Sequence, residues 1–157
     1  MTAPAAVRRA AYIATERRIS IAVNAVLSLV FFLLVIGLPT PVPVPGMTGY
    51  AVDFVPQSFM IALMSTLVPG LLTAARIRAG RILGSAEAGG STVLRALLTA
   101  IIAALAGGVV AAGLLASGVA TLPLVPALIA KILYGAVLAW VVTPIGLRRA
   151  LRSTELA

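Results

Sequence analysis

Residues 123–147, PLVPALIAKILYGAVLAWVVTPIGL, form an apolar run that ends in a basic tail of Arg148, Arg149 and Arg152. A helix needs about 20 apolar residues to cross a hydrocarbon core roughly 30 Å thick, so this run is long enough. Lys131 is the one formal charge well inside any apolar run of the chain. A lone amine there costs roughly 2.5–3.5 kcal/mol on insertion scales, so it is either rescued by a partner or put to use. A segment of this kind folds in lipid, where backbone polar groups must be satisfied within helices.

Three further runs have the same character: 19–38, 54–75 and 94–118. The first, ISIAVNAVLSLVFFLLVIGL, follows basic residues, as a signal peptide would. It is longer than the 7–15 residues of a signal-peptide core and no A-x-A site follows, so it reads as a retained span. Of 157 residues, 61% are hydrophobic and 10% charged. Soluble domains carry about 25% charged residues, which sets this chain apart from them. The expected fold is all-α: a polytopic membrane protein with four transmembrane helices, arranged as two hairpins in a bundle.

The connections differ in charge. Residues 1–18, 76–95 and 148–157 hold every arginine, and the links at 39–53 and 119–122 hold no Lys or Arg. By the positive-inside rule, both termini (1–18 and 148–157) and the middle loop 76–93 are cytoplasmic. The link at 39–53 places Pro39, Pro41, Pro43 and Pro45 at alternate positions, which predicts an extended, polyproline-like piece that turns at Gly46 and Gly49. Gly80, Gly84, Gly89 and Gly90 loosen the middle loop. At the N-terminus Arg8, Tyr12 and Glu16 share one side of a helix, which would suit a short helix on the membrane surface. The two halves are alike in outline, with Pro69 and Pro144 near the ends of their second runs. Two arginine-flanked hairpins produce such a likeness by themselves.

The net charge of +8 raises nucleic acid as a partner. The basic residues flank apolar runs and do not cluster with stacking groups, so the expected partners are the bilayer and other membrane helices, not nucleic acid. Cysteine and histidine are absent. The usual zinc, haem and iron–sulfur ligands are therefore missing, and no cofactor is expected. The carboxylates Glu16, Asp53, Glu87 and Glu155 are too scattered for a catalytic pair, so the chain does not read as an enzyme.

Four polar residues stand out as a candidate intramembrane site: Lys131, Asp53, Gln57 and Asn24. Counted back from the arginines at about 1.5 Å per residue, Lys131 lies about 25 Å up its helix, Gln57 about 28 Å and Asp53 about 34 Å. Lys131 therefore either snorkels to the outer interface or meets Asp53 and Gln57. Asn24 and Ser28, at i and i+4, share the face of the first span that turns toward other helices. In the third run Ala104, Gly108, Ala112 and Ala116 recur every four residues, as do Ala103, Gly107 and Ala111, and such spacing lets another backbone approach closely.

Two functions follow. The first is a non-catalytic accessory or scaffold subunit of a bacterial inner membrane, associating with itself or with another membrane protein. The second is a small oligomeric transporter or channel with its polar site around Lys131. Few polar groups are spread along the spans, and a transport path needs them, which favours the first.

Overall fold

A computed structural model describes residues 5–80 and 89–152. Four helices dominate: α1 (Ala5–Val35), α2 (Phe54–Arg78), α3 (Gly89–Ala116) and α4 (Leu124–Arg152). Each contains a stretch of 25 or 26 residues long and apolar enough to cross a membrane. The glycine-rich connector lies outside the described residues at 81–88, as does the tail from 153, and the side chains of Arg8, Arg149 and Arg152 are likewise outside them.

The helices start and stop where local chemistry dictates. α1 does not begin at residue 19 after a separate surface helix; it is one continuous helix of 31 residues. Ala-rich sequence before Ile19 has no breaker, so the helix runs on through it. It ends because Gly37 takes φ +77 and donates its N–H back to Phe32 O at 3.1 Å, and Pro39 cannot continue the helix. Gly118, at φ +70, stops α3 in the same way.

The proline-rich link is not an isolated extended loop. Val42–Pro43 (β1) pairs antiparallel with Thr121–Leu122 (β2), Val42 opposite Leu122. Pro43 lacks an N–H, but its carbonyl accepts from Tyr50 N at 2.9 Å, and Val44 O accepts from Ala51 N at 3.1 Å. The link thus folds back on itself and ties the α1–α2 connection to the α3–α4 connection. Both connections lie at one end of the bundle, the strand end. Arg76, Arg78, Arg95 and Arg148 mark the other, the arginine end. Val42 is buried with Phe32, Tyr50, Phe54 and Ala127 in an apolar plug at the strand end.

The four helices do not form a symmetric square. α4 lies along α1 and α2, while α3 lies against a different flank of α2 and barely meets α4. α2 is therefore the central helix and buries two stripes. One is Gln57, Ile61, Ser65, Pro69 and Thr73; the other is Ser58, Ala62, Thr66, Gly70 and Ala74. Small residues set the close approaches. A Cβ on Gly107 of α3 would run into Phe54 O and the Ser58 hydroxyl of α2, and one on Gly135 of α4 would run into the Ser28 hydroxyl of α1.

Of the two small-residue series on α3, it is Ala103, Gly107 and Ala111 that are buried against α2. Ala104, Gly108 and Ala112 instead line an open apolar groove of about 490 Å³ with Val55, Phe59, Ile101, Leu105 and Val109. Ala116 is exposed.

Candidate polar site within the helix bundle

α1 contributes one polar side chain to every turn of its inner face: Tyr12, Glu16, Ser20, Asn24 and Ser28. All but Tyr12 are buried. A four-residue period keeps successive side chains on nearly one line. α2 faces them with Asp53, Gln57, Ser65 and Thr73, and α4 with Lys131 and Thr143, all buried. The result is a polar column enclosed by α1, α2 and α4. Measured along α2 from Asp53 to Arg76, it spans about 34 Å, the thickness of a hydrocarbon core.

At the strand end Lys131 Nζ binds Asp53 Oδ2 at 2.9 Å, with the two side chains 0% and 1% exposed. The lysine does not snorkel. Asp53 stands at the N-cap of α2 yet makes no capping bond with its side chain, which is turned to Lys131 instead. The ammonium also faces the rings of Phe54, at 3.6 Å from the centroid, and Tyr50, at 4.9 Å. Desolvated cation–π contacts of this kind are worth about 2 kcal/mol and partly replace the lost water. Tyr50 OH donates to Ala127 O at 3.0 Å. Burial, and next the charge of Asp53, push this phenol up to about 12.

One turn further in, Gln57 Nε2 donates to Ser28 Oγ at 3.0 Å and, at 3.4 Å, to the backbone carbonyl of Lys131. The structure thus brings Lys131, Asp53 and Gln57 together. Asn24 lies a turn beyond Ser28 and belongs to the next level. Its Nδ2 donates to Ser20 O at 2.8 Å and to Ser65 Oγ at 3.0 Å. Ser20 joins this level by donating to Ser65 Oγ at 3.3 Å and accepting from Thr143 Oγ1 at 2.7 Å.

At the arginine end Arg76 Nη1 donates to Glu16 Oε1 at 2.6 Å and to Tyr12 OH at 2.7 Å, and Tyr12 OH is 3.0 Å from Thr73 Oγ1. Tyr12 and Glu16 therefore face the bundle, not a membrane surface. The Arg76 side chain is 38% exposed, against 11% for Glu16. This end of the column meets the surroundings, and the other is sealed by the apolar plug.

Comparison with known protein families, curated proteins and solved structures finds no match. The chemistry must be read from the column itself.

Ser20, Ser28, Ser65, Thr143 and Glu16 were not singled out as site residues from the sequence. Taken one at a time, hydroxyls in membrane helices bond their own helix, so each looks unremarkable. The signal that finds Glu16, Ser20 and Ser28 is the unbroken four-residue period from Tyr12 to Ser28; Ser65 and Thr143 carry no such signal. Treating the first span as starting at Ile19 cuts that period in two.

Proposed function

We propose that this protein is a small membrane carrier whose transport path is the polar column between α1, α2 and α4. The observation that supports it is the alignment of buried polar side chains between two ion pairs, Lys131–Asp53 at one end and Glu16–Arg76 at the other. The polar groups that the spans hold are few, but they share one interior, as a transport path requires. Holding helices together does not by itself call for a buried ion pair, since apolar residues of similar volume often do as well or better. Intramembrane charges that face a bundle interior commonly mark ion and substrate paths. The arginine distribution supports an inner-membrane orientation with both termini and the 76–93 loop in the cytoplasm. The arginine end of the column then faces inward.

One observation favours the accessory-subunit reading. α3 packs almost wholly against α2, and the groove lined by Ala104, Gly108 and Ala112 is open beside it. A second copy or another membrane protein would dock its helix there.

The chain has no cysteine, so single cysteines test the choice directly. In native membranes a small charged thiol reagent should modify Ser28→Cys and Ser65→Cys, because a transport path opens to water in its working cycle. It should not modify Val109→Cys or Leu133→Cys, which face lipid. Column positions as unreactive as the lipid-facing ones would remove the carrier reading and leave the accessory one.

A further inference from the structure

Among the described residues, the buried side-chain polar atoms that lack a hydrogen-bond partner are all oxygens: Asp53 Oδ1, Gln57 Oε1, Asn24 Oδ1 and Thr66 Oγ1. The first three belong to the column; Thr66 lies apart, against Gly146 of α4. The two amides are not interchangeable by a flip. Asn24 Nδ2 donates to the carbonyl of Ser20 and Gln57 Nε2 to the carbonyl of Lys131, and a carbonyl cannot donate, so each amide must turn its N–H toward it. Their oxygens are thereby fixed as the unpaired atoms. All three residues are at least 97% buried, with exposures of 3%, 1% and 2%. An unmet buried acceptor carries a desolvation cost that natural interiors rarely leave standing.

Carboxylate and amide oxygens accept and never donate. The guest they call for must therefore offer hydrogen or a positive charge, which excludes anions, and one metal ion cannot reach acceptors spread over three turns. The one cation nearby, Lys131, is already bound to Asp53. The three acceptors lie on successive turns. Asp53 and Gln57 are i and i+4 on α2, Gln57 holds Ser28, and Asn24 is i−4 from Ser28. Neighbouring turns are about 5.4 Å apart, close to the span that one bridging water covers with two hydrogen bonds of about 2.8 Å. The hydroxyls of Ser28, Ser20 and Ser65 stand between and below these acceptors, and a hydroxyl can accept on one side while donating on the other.

We propose that the column takes water as its guest and conducts protons along the resulting chain; this rests on the carrier reading and names its substrate. At each step an O–H bond of a protonated water breaks as an O–H bond forms on the next oxygen. Only the charge advances, and no co-reactant is consumed. Glu16 and Arg76 are the exit to the arginine end, where the column meets the surroundings, and at the strand end the chain reaches water when the plug of Phe32, Tyr50 and Phe54 over Asp53 opens in the working cycle.

Two measurements test this on the purified full-length protein reconstituted in lipid. In water-edited solid-state NMR, the side-chain amides of Asn24 and Gln57 should receive polarisation from water as fast as exposed amides do. Dry amides would overturn the proposal, even if Gln57→Leu cannot be produced. In vesicles enclosing a pH dye, a potassium diffusion potential should drive proton entry above that of protein-free vesicles. Gln57→Leu and Asn24→Leu, each checked as monodisperse and helical, should slow it about tenfold, the worth of one hydrogen bond on a barrier. Chloride or methylammonium flux without proton flux would overturn the proton assignment and keep the carrier. Absence of any flux from vesicles whose column cysteines do react would overturn proton conduction alone. Absence of both would overturn the carrier reading as well.

Discussion

Tyr50 shows how much a single side chain at the strand end is asked to do. It closes the space over Lys131, packs edge-on against Phe32 and Phe54 with centroids 6.4 and 5.4 Å away, and bonds the start of α4 through Ala127 O. Its phenol, raised to about 12 by burial and by Asp53, stays protonated in the fold, whereas an unfolded tyrosine ionises near pH 10. A raised pKa means that the folded state holds the proton more tightly. The stabilisation is thus complete below about pH 10 and is lost as pH rises through 12. Spectrophotometric titration should show a phenolate step near 12 in the wild type that Tyr50→Phe lacks; if the step removed by the substitution lies near 10 instead, the burial of this phenol is contradicted. The Tyr50→Phe substitution should also cost about 1 kcal/mol at neutral pH through the lost bond to Ala127. Counting residues from the arginines places Lys131 near the depth of Gln57, with Asp53 within reach of its long side chain. It could not show Tyr50 and Phe54 around the ammonium. That enclosure depends on the 39–53 link folding back and pairing with residues 121–122, a contact no local pattern encodes.

At the level of elements, glycine decides which faces meet. Gly107 and Gly135 stand where a Cβ would strike the neighbouring helix, whereas a Cβ on Gly108 meets nothing within 4 Å. Thermal unfolding in detergent should therefore find Gly107→Ala and Gly135→Ala destabilised by roughly 1–3 kcal/mol, with Gly108→Ala close to wild type. Equal tolerance of all three would mean that α3 and α4 do not pack as described. Four apolar helices were legible from run length alone. The inner face of α3 was not, since two series of small residues with the same spacing are equivalent until Phe54 and Ser58 of α2 select one. The polar face of α1 was legible in principle, in the period from Tyr12 to Ser28. An assumed helix start at Ile19 concealed it.

In sequence the molecule is two helix pairs, α1–α2 and α3–α4, but the helices of each pair barely touch, and the packing runs between the pairs, α1 on α4 and α2 on both α3 and α4. Lys131 to Asp53, Thr143 to Ser20, Tyr134 to Ser58 and Tyr50 to Ala127 all cross between them. How the helices are ordered was not legible, because in lipid an apolar surface does not say which neighbour it meets. With Thr48 near the strand end and Ala79 at the arginine end, single cysteines at these sites should be labelled from opposite sides of the membrane by an impermeant reagent. On the orientation proposed from the positive-inside rule, Ala79 should be the one labelled from the cytoplasmic side. Labelling of both from one side would show that α2 does not cross. The join itself is measured most directly by a double-mutant cycle on Lys131 and Asp53, read as unfolding free energy in detergent. Because both side chains are fully desolvated, Lys131→Met and Asp53→Asn should each strand a buried charge and cost roughly 3–5 kcal/mol. The double variant should be more stable than either single one. Losses that simply add would mean that the two charges do not meet, and that the helix pairs are not joined through them.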